Sequence, residues 1–302
     1  MLISYTTLVL VMLLWSGNII VGRAVHGTIP PFTLAFVRWT GATLLALPFA
    51  LPHLVRERYL LLAHWKPVLL LGFIGIAAFN AFGYSGLRYT TATNGALLQA
   101  AIPALVLLFN RLFFGLRAPL LQACGVLLSI VGVIIVVLRG DLASIVALHV
   151  NSGDVLILCG VTCWAAYTSL LRLRPPLHPL TFLVATFAVG IVAMAPLSAG
   201  ELIAGEPLVL SWHAAGAFAY VAIFPSLIAY QLYNAAVHEL GAGRAGQTLT
   251  LMPLFGAFLA ALALAEPLHL YHLTGMVFIL TGIGLGAWGG PAKRSPNASD
   301  AL

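Results

Sequence analysis

The sequence predicts an all-α integral membrane protein, with ten transmembrane helices arranged as two inverted five-helix repeats. Three observations predict it. Of the 302 residues, 61% are hydrophobic and 7% are charged, against about 25% charged residues in a soluble domain. Apolar runs near the roughly 20 residues that cross a hydrocarbon core recur ten times. Prolines and glycines also reappear one half-length apart: Pro103 with Pro253, Gly125 with Gly275, and Gly132 with Gly282 are each separated by 150 positions.

The runs follow in order. Residues 4–23 form the first; they lack the basic stretch and small-residue cleavage site of a signal peptide, so they read as a retained helix. Pro30-Pro31 opens 32–51, and Pro52-His53 reads as its end. Spans 67–87 and 92–114 come next, and Arg117-Ala118-Pro119 opens 119–138. After the longest break, Arg139 to Gly153, the second half repeats the plan: 154–172, closed by Arg174-Pro175-Pro176, then 179–200, 212–235, 242–264, the Glu266-Pro267 joint, and 268–289. The domains expected are therefore 1–140 and 141–290, followed by a polar cytoplasmic tail at 291–302.

An odd number of spans in each half makes the second copy enter the membrane in the opposite sense. Trp15 and Trp164 sit late in the first helix of their halves, as that repeat requires. Arg56, Arg58, Lys66, Arg111, Arg117, Arg172, Arg174, Arg244, Lys293 and Arg294 all fall on one side, and only Arg23, Arg88 and Arg139 on the other. Lys and Arg accumulate on the cytoplasmic side, so both termini are expected there. The net charge of +6 is thus spread over connecting segments and gives no nucleic-acid surface.

Cys124, Cys159 and Cys163 lie inside apolar runs and suggest packing, with neither a disulfide framework nor a metal site. No H-E-x-x-H, G-x-S-x-G, P-loop or aspartate-rich diphosphate motif occurs. No enzyme, ATP-driven pump, metal or cofactor is expected.

Polar side chains in the spans are costly in hydrocarbon and should face other helices or water. Trp15 and Asn18 share one face of the first helix, and Trp164 and Tyr167 share one face of the sixth. With Arg38, Asn80, Tyr84, Tyr230 and Tyr233 they are the candidate substrate-binding residues; Asn94, Gln99, Asn234 and Gln247 are further polar candidates. The tryptophans read equally as interfacial anchors, and the amides as interhelical glue. Arg38 lies roughly 10 Å into its helix, where a guanidinium either meets a carboxylate or phosphate or snorkels to the interface. Glu57, Glu239 and Asp300 read as cytoplasmic, and Asp141, Asp154, Glu201, Glu206 and Glu266 as external or at helix ends, so no carboxylate proton relay is expected.

Pro103 and Pro253 interrupt intrahelical bonds at matching places and are candidate hinges, or simply shape the packing. Gly282, Gly286 and Gly290, with Gly125 and Ser129, form small-residue ridges for packing inside a monomer, a dimer face being the alternative.

Leu14-Trp15-Ser16-Gly17-Asn18, Phe36-Val37-Arg38-Trp39 and Tyr84 to Pro103, then Trp164-Ala165-Ala166-Tyr167, Pro253, Ala265-Glu266-Pro267, Gly275 and Gly282, resemble in their order the EamA-type proteins of the drug/metabolite transporter superfamily. The resemblance covers residues 4–289. It implies a secondary transporter of the bacterial inner membrane, exporting or exchanging amino acids and related metabolites by alternating access, with the small molecule and the lipid bilayer as its partners. The Trp164-Ala165-Ala166-Tyr167 stretch is similar to aromatic amino acid exporters of that group. One departure is that Glu266 has Arg117 or Ala118 as its first-half counterpart, where the family often repeats the acid. The alternative function is a membrane sensor or assembly protein that keeps the fold without moving a solute.

Overall fold

The computed structural model describes residues 2–116, 120–137, 151–240, 248–249 and 251–288. Arg117, Pro119, Arg139, Arg244, Gln247, Gly290 and the tail at 291–302 lie outside them.

Among the described residues ten helices follow one another: α1 Leu2–Ala24, α2 Pro31–Ala63, α3 Trp65–Leu87, α4 Ala92–Phe114, α5 Leu120–Val137, α6 Ser152–Leu170, α7 Pro179–Ile203, α8 Trp212–Leu240, α9 Leu251–Leu264 and α10 Leu270–Trp288. All described regular structure is helical. Seven of these helices are long and apolar enough to cross a membrane on their own described residues, and α5, α9 and α10 are shorter apolar helices. The chain is a multi-pass membrane protein.

One expected boundary is corrected. The Pro52-His53 joint does not end α2, which continues through Pro48 and Pro52 to Ala63 over 33 residues, roughly 50 Å. Prolines four apart lie on one face, so their missing amide bonds line up on that face. Packing decides the rest: Ala46 and Ala50 are buried against Val184 of α7, and Leu54 and Leu180 pack around them.

The α2–α7 pair is also fastened at both ends. Near the end of α7, Glu201 accepts from the Phe32 and Thr33 amides at the start of α2, at 3.0 and 2.8 Å, and from the Thr33 hydroxyl. Near the end of α2, Glu57 accepts from the His178 amide, which precedes α7, at 3.0 Å. Each helix therefore supplies a carboxylate to the orphan amides and positive dipole end of the other. His53 and His178 stack beside this second contact, ring centroids 3.6 Å apart.

The α5–α10 pair rests on bare backbone. A methyl group on Gly282 would overlap the Gly125 carbonyl and Ser129, while one on Gly132 would come within 2.6 Å of the Gly275 carbonyl. The same glycines noticed for their spacing thus meet reciprocally inside the monomer, which places Gly282 in an internal contact.

Among the described residues two helices contain a π-helical turn. In α3 it spans Phe73–Ala78 and in α8 Ile223–Ile228, again 150 positions apart. Such turns leave main-chain carbonyls without their usual donors and often mark functional sites. In α4 the interruption is a 3₁₀ turn, Gln99–Ala101, followed directly by Pro103 in the first turn of Ile102–Phe114. Pro253 occupies the first turn of α9.

Candidate functional site

Arg38 organises the interior. It is 2% exposed, so the snorkelling alternative does not hold. Its Nε donates to the Ser226 hydroxyl. Its Nη1 donates to Asn80 Oδ1 at 2.9 Å, to the Tyr84 hydroxyl at 2.8 Å and to Asn18 Oδ1 at 3.2 Å. The guanidinium also lies 4.4 Å from the Trp39 ring centroid, a cation–π contact. One residue of α2 thereby ties together α1, α3 and α8.

Local sequence explains two of those acceptors. Pro225 has no amide hydrogen, so the Val221 carbonyl loses its ordinary donor. The Ser226 hydroxyl bonds that carbonyl at 2.7 Å and presents its oxygen to Arg38. In α3, Asn80 Nδ2 likewise bonds the Ile76 carbonyl within the other π turn, at 2.8 Å, leaving Oδ1 for Arg38. Both backbone irregularities converge on one guanidinium.

Beside it lies a cavity of about 60 Å³. Trp15, Asn18, Arg38, Asn80, Tyr84, Trp164 and Tyr230, all expected from sequence, line it. Tyr167 and Tyr233 do not. They stand one ring behind, Tyr167 at 5.1 Å from Trp164 and Tyr233 at 5.0 Å from Trp15, centroid to centroid. Gln99 is in the wall, whereas Asn94 turns away to Asp154 and His272.

Sequence reading missed Phe79, Gly83, Gly95, Ile157, Leu249 and Met252 in the wall, and Ser226 behind it. The apolar ones carry no signal that separates a cavity from a core. Ser226 had one: a hydroxyl directly after a mid-helix proline.

The aromatic wall is built edge to face. Trp15–Trp164, Trp15–Tyr230 and Trp164–Tyr230 have centroids 5.6, 5.7 and 5.8 Å apart at interplanar angles of 80, 71 and 87°, the arrangement favoured by ring quadrupoles. Trp15 Nε1 is anchored on the Pro225 carbonyl at 2.9 Å. Among the described residues the buried Tyr230 hydroxyl has no hydrogen-bond partner.

At one end of the bundle, Arg23 donates to the Leu87 carbonyl at 2.9 Å and lies 4.0 Å from Glu266, which caps α4 through the Ala92 and Thr93 amides. Arg88 grips Glu206 through two bonds, at 3.3 and 2.8 Å, which hold its guanidinium above the usual arginine range. Asp154, read from sequence as external or at a helix end, starts α6 but is fully buried, accepting from Thr90 and Asn94. Thr90 of the α3–α4 connection and Asn94 in the first turn of α4 reach it, which sequence position alone does not reveal.

Apolar helices thus enclose a small, mainly apolar cavity beside one buried arginine, an arrangement suited to a membrane transporter. The chain belongs to the EamA-like transporter family, whose model matches residues 2–138 and again 151–287. It is 30% identical over 222 residues to the uncharacterized transporter YyaM of Bacillus subtilis, covering 71% of this chain and 70% of that protein. It is 29% identical over 290 residues to an uncharacterized transporter of Archaeoglobus fulgidus, with 93% and 96% covered, and 27% identical over 294 residues to the uncharacterized inner membrane transporter YedA of Escherichia coli, with 93% and 90% covered. A crystal structure matches with a TM-score of 0.63 at 20% identity, covering 94% of this chain and 96% of the other, a likeness of fold alone.

Proposed function

We propose that the protein moves amino acids or related small metabolites across a bacterial inner membrane by alternating access, as an exporter or exchanger, without chemistry on its substrate. The observation that carries this reading is Arg38: a buried guanidinium, bound only to neutral side chains among the described residues, that lines a cavity near the middle of the helices. A charge in that position is costly and by default marks a functional site. Trp15, Asn18, Asn80, Tyr84, Trp164 and Tyr230 complete the substrate site, with Tyr167 and Tyr233 supporting the aromatic wall.

Residues 1–140 and 141–290 act as two five-helix halves of opposite orientation, with 291–302 as the tail and both termini cytoplasmic. The double family match, the paired π turns and the reciprocal glycine contacts support that division. Pro103 and Pro253 serve as the hinges, each in the first turn of a helical segment. The monomer is the working unit.

The test is uptake of radiolabelled amino acids into proteoliposomes, with Arg38→Ala and Trp164→Ala beside the parent. Saturable uptake that either variant loses supports the reading. Saturable binding with no counterflow would instead make the protein a sensor, and neither binding nor uptake of any amino acid would discard amino acids as substrates.

A further inference from the structure

The hydrogen-bonding capacity of the cavity is lopsided. Asn18 Oδ1 already accepts from Arg38 at 3.2 Å and from the Tyr84 hydroxyl at 2.8 Å. Asn80 has given its oxygen to Arg38 and its nitrogen to Ile76, and Tyr84 has used its proton on Asn18 and a lone pair on Arg38. What remains is mostly donors. Among the described residues, Arg38 Nη2 and Asn18 Nδ2 have no bond, and the Tyr230 hydroxyl is buried without a partner. Gln99 adds one neutral amide with both a donor and an acceptor.

The charges are lopsided in the same direction. The cavity wall contains one arginine and no Asp or Glu. Of the chain's eight carboxylates, Glu57, Glu201 and Glu266 are engaged at helix N-termini, Glu206 by Arg88, and Asp154 by Thr90 and Asn94. Glu239 is exposed late in α8, while Asp141 and Asp300 lie outside the described residues. An aromatic cage could in principle hold an ammonium over ring faces, but Trp15, Trp164 and Tyr230 set edges against one another's faces.

We propose that the cavity recognises a small monocarboxylate and reads no ammonium group, so that its substrates are carboxylates with an apolar body, of which amino acids are the aminated members. The inference rests on the transporter reading of this site. The carboxylate completes Arg38 through Nη2 in the manner of a charge-assisted pair, with Asn18 Nδ2 and the Tyr230 hydroxyl as further donors. An α-ammonium has no acid to meet and stands close to a like charge in a low-dielectric interior. Removing the amine therefore leaves affinity equal or better, and removing the carboxylate abolishes it.

The experiment uses the full chain and three compounds with the same branched body: valine, 3-methyl-2-oxobutanoate and isobutylamine. Tryptophan fluorescence in detergent reports binding at Trp15 and Trp164. Counterflow in proteoliposomes uses labelled valine and the labelled oxo acid, whose strong acidity keeps it ionised and slow to leak. The expected result is saturable entry of the oxo acid at least as fast as valine, mutual competition, and no competition by isobutylamine. Asn18→Asp, which keeps the acceptor but places a carboxylate beside Arg38, should weaken oxo-acid binding at least tenfold.

Valine that enters while the oxo acid neither enters nor competes overturns the inference and leaves the transporter reading standing, as does isobutylamine competing like valine. Oxo-acid entry without valine entry upholds the inference and corrects the amino acid assignment. If none of the three binds or moves, both fall. Should Asn18→Asp not fold, the comparison of the three compounds on the parent protein decides.

Discussion

Arg38 Nε donates to Ser226 Oγ, while the same hydroxyl donates to the Val221 carbonyl that Pro225 leaves without an amide. The charge of α2 and the backbone defect of α8 are thus repaired by one atom. Ser226→Ala removes both bonds and leaves a buried donor and a buried carbonyl unmet, at about 1–3 kcal/mol for a group so stranded. A clear fall in thermal midpoint in detergent is expected. Thermal behaviour equal to the parent would mean that Ser226 carries neither bond.

The two ends of the α2–α7 pair make a second prediction. Glu201→Gln and Glu57→Gln each weaken an interaction between a carboxylate and a helix N-terminus, worth about 0.5–2 kcal/mol. Thr33 and Glu57 are 24 residues apart on α2, roughly 36 Å, so the double variant should lose the sum of the single losses. Chemical denaturation in mixed micelles measures all three, and a non-additive result would show that the ends are coupled.

Position along α10 separates tolerance from failure over two residues. Gly282 abuts the Gly125 carbonyl, whereas a Cβ on Gly284 meets nothing within 4 Å. Gly284→Ala should express and behave as the parent, while Gly282→Val should split α5 from α10 and abolish monodisperse protein. Size-exclusion profiles of the two variants check it. Equal profiles would show that the pair tolerates separation.

Tyr230→Phe deletes a buried hydroxyl that has no partner among the described residues. Stability should stay level or rise by about 1 kcal/mol, since no bond is lost and a polar group leaves the interior, while affinity for a carboxylate falls. A stability loss of similar size would reveal a bond to that hydroxyl in the resting protein.

Much of the fold was legible because the membrane imposes a length and a polarity on every span, and the 150-residue spacing of prolines and glycines is visible without coordinates. Arg38 stood out for the same reason: a charge in an apolar run has few innocent explanations. What stayed hidden depended on contacts distant in sequence. Pro52 reads as a helix end until α7 is placed alongside it. Glu57 reads as cytoplasmic and Glu201 as external or at a helix end until each is seen beside the other helix's first turn. Tyr167 shares a helical face with Trp164, yet only packing against Gly75 shows that it stops short of the cavity.

The glycine contacts between α5 and α10 also set a timetable for biogenesis. Gly132 finds the Gly275 carbonyl only after 143 further residues have been translated, roughly 7–30 s at cellular elongation rates. Through that interval α5 is inserted in lipid with its small-residue seam unoccupied, and neighbouring nascent chains carrying similar seams are competitors for it. A ribosome that stalls before Leu270 therefore releases an incomplete bundle with an adhesive edge, and membrane quality-control proteases have a defined feature to find.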